Sequence, residues 1–213
     1  MGIFLHPTDG THVVSGWNGE FRFRVKTTVT AEPFVASCWI DDILRIHGHR
    51  IDGLIVSLGI ECRPFIAHGR PGVVPASLLH VCVDDRCLVF QLLYCSYIPD
   101  KLSDFLSDDR IRLVGVEINN HVQKLEEEYP LMVRGPTVDL RELAAEKWDL
   151  RLARLSTLYD LVAVYWPEMN LSNSTLRYSD WGRLELELEQ IEYVTIKSFS
   201  QYQVGRRLLS DNF

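Results

Sequence analysis

The sequence predicts an α/β fold, a mixed sheet of five to six strands with helices on both faces. Three observations predict it. Leu54–Glu61 is an almost unbroken apolar run that ends before Pro64, as a central strand would. Leu78–Val83 and Arg86–Leu92 flank Asp84-Asp85 and read as a hairpin beside it, completing an antiparallel meander. The order of patterns is three strands, helix, strand, helix, then several helices, which is neither strict β-α-β alternation nor an all-α chain.

Each element has a local reason. Residues 1–20 are mixed and glycine-rich and read as a lead-in, or a short peripheral hairpin around Ser15–Gly19. The main domain is expected over residues 21–213. Phe21–Thr30 alternates β-branched and aromatic residues with charges, as a half-exposed strand does. Pro33 suits a helix start. Val35, Trp39, Ile43 and Ile46 then mark an amphipathic helix over residues 34–47. Residues 65–74 hold two glycines and a proline and read as a loop. Pro99 opens a short helix through Leu106, and Arg110–Val116 is a further strand closed by Glu117.

Asn119 or Asn120 can cap the next helix. Val122, Leu125 and Tyr129 form its inner face, and Glu126-Glu127-Glu128 its solvated one. Asp139-Leu-Arg-Glu142 has capping-box spacing and starts a helix through Lys147. Leu152, Leu155 and Leu158 head a helix ending near Pro167, and residues 170–180 are loop-like. Leu188, Ile191, Val194, Tyr202 and Leu209 mark one long C-terminal helix.

The 213 residues suit one globular domain. No apolar run reaches the roughly 18–20 residues needed to span a bilayer, and residues 1–10 carry no basic-then-apolar leader. A cytoplasmic or nuclear protein with no membrane association is expected. The net charge is −7, which disfavours binding dominated by nucleic-acid phosphates. The five cysteines are odd in number and lack C-x-x-C spacing, so free thiols are expected. Cys82 and Cys87 flank the hairpin turn and can face each other across it. His47 and His49 read as a solvated pair.

The end of the Leu54 strand is where chemistry would sit. Gly59 and Glu61 share one face of it. An acid at position 59 would make a D-x-E metal clasp, and the sequence has glycine there.

Several separated stretches carry a family resemblance. They include Gly53–Pro64, Leu79–Leu92, Ile98-Pro99 with Phe105-Leu106, Val114-Gly115-Val116 with Lys124-Leu125-Glu126, and Val138–Lys147. Trp181 and the Tyr193 helix through Leu208 complete the set. In order and spacing the chain resembles the plant Werner-syndrome-type 3′–5′ exonuclease-like proteins. These are the DEDDy branch related to ribonuclease D, with a ribonuclease-H-like fold. The resemblance covers about Phe21 to Leu209. It implies two-metal phosphodiester cleavage, with four carboxylates holding Mg²⁺ or Mn²⁺ and a tyrosine positioning water.

Carried over by position, the family pattern meets this chain unevenly. The D-x-E falls on Gly59 and Glu61, the second aspartate on His121, the tyrosine on Tyr193 and the last aspartate on Lys197. One carboxylate of four remains. No metal is expected, and Glu61 would be its ligand if one bound. Lys197 is expected to pair with Glu61 where a cation would stand. Asp84, Glu117 and Glu192 are the acids that could substitute in a shifted geometry. Arg63, Arg206 and Arg207 read as solvated surface.

The implied function is a degenerate, non-catalytic exonuclease-like domain, acting as an interaction or scaffold subunit or associated with nucleic acid. The resemblance implies homo-oligomers, or assembly with an active paralogue, and single-stranded nucleic acid as ligand. The alternative is an active metal-dependent 3′–5′ exonuclease on single-stranded RNA or DNA, using rearranged or inter-subunit acids.

Overall fold

A computed structural model describes residues 2–6, 10–18, 21–63, 74–148, 157–165 and 175–210. Its strands are β1 (Gly2–His6), β2 (Thr11–Asn18), β3 (Phe21–Thr30), β4 (Leu54–Cys62), β5 (Ala76–Val83), β6 (Arg86–Gln91), β7 (Ile111–Gly115) and β8 (Thr137–Asp139). They form one 8-stranded sheet in the order β1-β2-β3-β6-β5-β4-β7-β8. The β3/β6, β4/β7 and β7/β8 pairs are parallel and the others antiparallel. The sheet is mixed, as expected, but wider than the five to six strands expected. Gly2–His6 and Thr11–Asn18 are strands rather than a loose lead-in, and the antiparallel β2/β3 pair agrees with the alternative expectation of a hairpin around Ser15–Gly19; the three-residue β8 is too short to show a period.

The helices are α1 (Pro33–His47), α2 (Asp100–Ser107), α3 (Ile118–Glu128), α4 (Leu140–Trp148), α5 (Leu158–Tyr165) and α6 (Leu188–Leu209). Strand alternation divides them between the two faces. On β4, Val56, Leu58 and Ile60 point into a core shared with Trp39, Ile40 and Ile43 of α1, Leu102 and Phe105 of α2, and Leu125 of α3. Ile55, Ser57, Gly59 and Glu61 take the other face, under α6. Val114, Leu140, Leu161, Ile196, Phe199 and Tyr202 build the second core there.

Small and polar residues let α6 approach the sheet closely. Ser57 Oγ donates to Ser198 O at 2.9 Å, and the Thr27 and Thr195 hydroxyls lie 2.9 Å apart. A Cβ on Gly205 would come within 2.7 Å of Val114 Cγ2. A capping box between Glu187 and Gln190 fixes the start of α6.

Some local expectations are corrected. Neither Asn119 nor Asn120 caps α3. Glu117 is its N-cap residue, in the left-handed region at φ 57°, and its N–H donates to Asp139 Oδ2 at 3.0 Å. Asn119 instead accepts from Thr137. Asp139 also accepts from Arg141 N at 2.9 Å, which starts α4. Glu128 is not purely solvated, because it accepts from Ala76 N and Lys124. His47 is buried against Asp84 and Arg50 rather than solvated, and burial pushes its imidazole below its usual range. Cys82 and Cys87 are register partners across the β5–β6 hairpin, and both are free and buried. The expected loop over residues 65–74 falls largely outside the described residues, as do parts of the Leu152 helix and of the 170–180 loop.

Candidate functional site: a carboxylate–lysine pair under the C-terminal helix

Glu61 sits near the end of β4 with its side chain 7% exposed. Lys197, on the α6 face turned toward the sheet, brings Nζ to 2.6 Å from Glu61 Oε1. This is the pairing that the sequence suggests. Tyr193 lies one helical turn earlier. Its hydroxyl is 3.0 Å from that of Tyr159, and its ring packs at 5.7 Å from Trp181. Burial, the Tyr159 contact and the Glu61 charge all push the Tyr193 phenol well above its usual range, so it stays protonated.

The surroundings of position 59 are fixed by β5. Gly59 and His80 are direct partners in the β4/β5 register. The His80 ring is fully buried, with Nε2 at 3.9 Å from Glu61 Oε1. Burial, and then the Lys197 charge, hold it well below its usual pKa, so it is neutral. His121, on the first turns of α3, is held down to about 4 by burial and then by Lys197. Gln201, one turn beyond Lys197, donates nothing to the pair. Its Oε1 accepts from Val116 N at 3.1 Å.

The expected positions therefore gather as far as they are linked by contact. Glu61 and Lys197 touch, and their charges add to burial in shifting the neighbouring groups, Glu61 raising the Tyr193 phenol and Lys197 lowering the His121 imidazole. Two of the substitute acids, Asp84 and Glu117, are engaged elsewhere. Asp84 lies at the β5–β6 turn, six residues along β5 from the partner of Glu61, or roughly 20 Å away. It is engaged by His47, Arg50 and the Tyr202 hydroxyl. Glu117 bonds to Arg141 at 3.2 Å. Arg63 lies 3.8 Å from Asp180, while Arg206 and Arg207 are exposed at the end of α6.

Sequence reasoning missed His80 and Gln201. The signal for His80 was a titratable residue inside the apolar run Leu78–Val83, in phase with Leu78 and Cys82.

The residues present do not fit a pair of divalent cations. Such a pair needs several anionic oxygens in place. Here one carboxylate is already neutralised by a lysine, and both nearby imidazoles are uncharged. Among the described residues, no group of three or more His, Cys, Asp or Glu could hold a metal ion. A divalent cation about 4 Å from the Lys197 ammonium would be repelled by roughly 8 kcal/mol at an effective dielectric of 20.

The mixed sheet with helices on both faces is the fold of known 3′–5′ exonuclease domains. Comparison with known proteins gives the relatives. A 3′–5′ exonuclease of Drosophila grimshawi is 26% identical over 89% of this chain and 57% of its own length. The mouse bifunctional 3′–5′ exonuclease/ATP-dependent helicase WRN is 25% identical over 74% of this chain and 11% of its own. No protein-family profile matches. The chain spans just over half the length of the Drosophila grimshawi and Drosophila sechellia relatives.

Among solved structures, Escherichia coli RNase D superposes with a TM-score of 0.66 at 14% identity. It covers 85% of this chain and 44% of its own. The Aedes aegypti Nibbler EXO domain gives 0.65 at 14% identity, covering 84% and 85%. Among the described residues, no helix is long and apolar enough to cross a membrane.

Proposed function

We propose that this chain is a degenerate 3′–5′ exonuclease-like domain that does not hydrolyse nucleic acid and acts through binding. One observation carries the reading. Lys197 is paired at 2.6 Å with Glu61, the one carboxylate of the motif that remains. A site that had kept its cations would need that carboxylate free and that ammonium absent. His121, at the position of a lost aspartate, supplies no negative charge in either protonation state.

In this reading the chain is an interaction or scaffold subunit. It assembles with copies of itself or with an active paralogue, and the complex handles single-stranded nucleic acid. The net charge of −7 supports a protein partner over phosphate-dominated binding. The plant branch rests on the sequence resemblance alone, and a cytoplasmic or nuclear setting on the sequence's lack of a membrane-spanning apolar run and of a leader pattern. No cofactor is required. Mg²⁺ or Mn²⁺ would be required only for hydrolysis.

The test is degradation of end-labelled single-stranded RNA and DNA with Mg²⁺ or Mn²⁺, wild type beside Glu61→Ala. The expected result is no metal-dependent shortening by either protein. Shortening by the wild type that Glu61→Ala abolishes would overturn the reading. It would favour an active exonuclease using rearranged or inter-subunit acids.

A further inference from the structure

Gly59 is tightly walled. A Cβ built on it would lie 2.4 Å from His80 Cε1, 2.7 Å from His80 Nε2 and 3.2 Å from Gln201 Nε2. The first two distances are shorter than real contacts allow. The imidazole of β5 therefore occupies the space that any side chain at 59 would need. The ring is fully buried, so it has no solvent to swing into. On the helix side the gap is closed by the Gln201 amide, which is held in turn by Val116 N–H.

His80 is also an odd occupant on polar grounds. Among the described residues neither ring nitrogen has a hydrogen-bond partner, and the same holds for Gln201 Nε2 and His121 Nδ1. Unpartnered buried nitrogens are costly, so the ring's bonding does not account for its place. Its volume does. It fills the space over Gly59, next to Glu61.

We propose that Gly59 and His80 form an interlock in which the His80 ring, acting by its bulk, excludes any side chain at position 59. His80 is thus a positioning residue that blocks reconstruction of a metal site. Replacing the lost carboxylates alone would not rebuild the cation pair while the ring remains. The inference rests on the degenerate-site reading above, but its primary readout is stability and does not depend on activity.

The experiment is a double-mutant cycle by thermal unfolding, with Gly59→Ala and His80→Ala singly and together. In the His80 background, Gly59→Ala is expected to lower Tm by about 3–10 °C, the effect of an overpacked core on a chain of this size. In the His80→Ala background the same change is expected to shift Tm by less than about 2 °C. Should His80→Ala fail to fold, His80→Val provides the second background. Equal shifts in both backgrounds, or no shift in either, would overturn the interlock.

A second arm uses calorimetric titration with Mn²⁺. The triple variant Gly59→Asp, His121→Asp, Lys197→Asp is compared with the same variant carrying His80→Ala. Binding is expected only when His80 is replaced. Binding by both, or by neither, would overturn the claim that His80 is the block. Nuclease activity in the wild type would instead count against the degenerate-site reading, leaving the stability cycle to judge the interlock separately.

Discussion

Replacing Lys197 with methionine keeps most of the side chain's volume and removes its charge. The partner, Glu61, has a side chain only 7% exposed, while that of Lys197 is 25% exposed. Breaking a buried pair by removing one member costs about 3–5 kcal/mol, because the other charge is left without a counter-ion. The partial exposure of Lys197 places this case near the lower end, at about 3 kcal/mol. For a chain of this length that corresponds to a fall in Tm of about 6–12 °C.

The loss should also depend on pH. An unpaired carboxylate is costly only when ionised, so the variant should be weaker relative to wild type at pH 8 than at pH 5. Lys197 also holds both neighbouring imidazoles down. Its removal should let His121 titrate above about 4, which NMR of the ring protons would follow. The assay is urea and thermal unfolding of Lys197→Met, with the double variant Glu61→Gln/Lys197→Met as control. The double variant should recover most of the loss. A Lys197→Met protein whose stability matches wild type throughout pH 5–8 would refute the reasoning, since the pair would then contribute nothing.

Two further predictions concern the walls of the site. His121 is held at about 4, below its unfolded value near 6.5, so the unfolded chain binds more protons between those values. Stability should therefore rise from pH 4 to 6.5, with about 3 kcal/mol at stake from this ring and more in the same direction from His80. His121→Gln should flatten that slope, and superimposable pH–stability curves for the two proteins would refute the assignment. Gln201→Leu removes the acceptor for Val116 N–H and should cost about 1–3 kcal/mol in urea unfolding. A midpoint unchanged by the substitution would mean that water or a shifted backbone satisfies that group.

The layered architecture was legible where periodicity is strong. The Phe21–Thr30 strand, the 34–47 helix, the meander and the long C-terminal helix follow directly from apolar spacing. β1 and β2 were not legible because glycines and mixed polarity blur their alternation. The start of α3 was misread because the sequence offers Asn119 and Asn120 as side-chain caps. The chain uses a left-handed Glu117 and a carboxylate from β8 instead, a contact 22 residues away that no local pattern reveals.

Within the site, the Glu61–Lys197 contact could be inferred because motif positions fix both ends of it. The role of His80 could not. It depends on the β4/β5 register, which sequence spacing leaves open, and on how little space Gly59 leaves above the strand.

The width of the sheet has a consequence for association. Without β1 and β2, the ten-residue β3 would present an open row of backbone donors and acceptors. Instead, among the described residues, the sheet ends on β1, with 5 residues, and on β8, with 3. Short borders offer a neighbouring chain little backbone to template against. A chain meeting either border would therefore find side-chain relief, shape and charge, rather than a long backbone to extend as another strand.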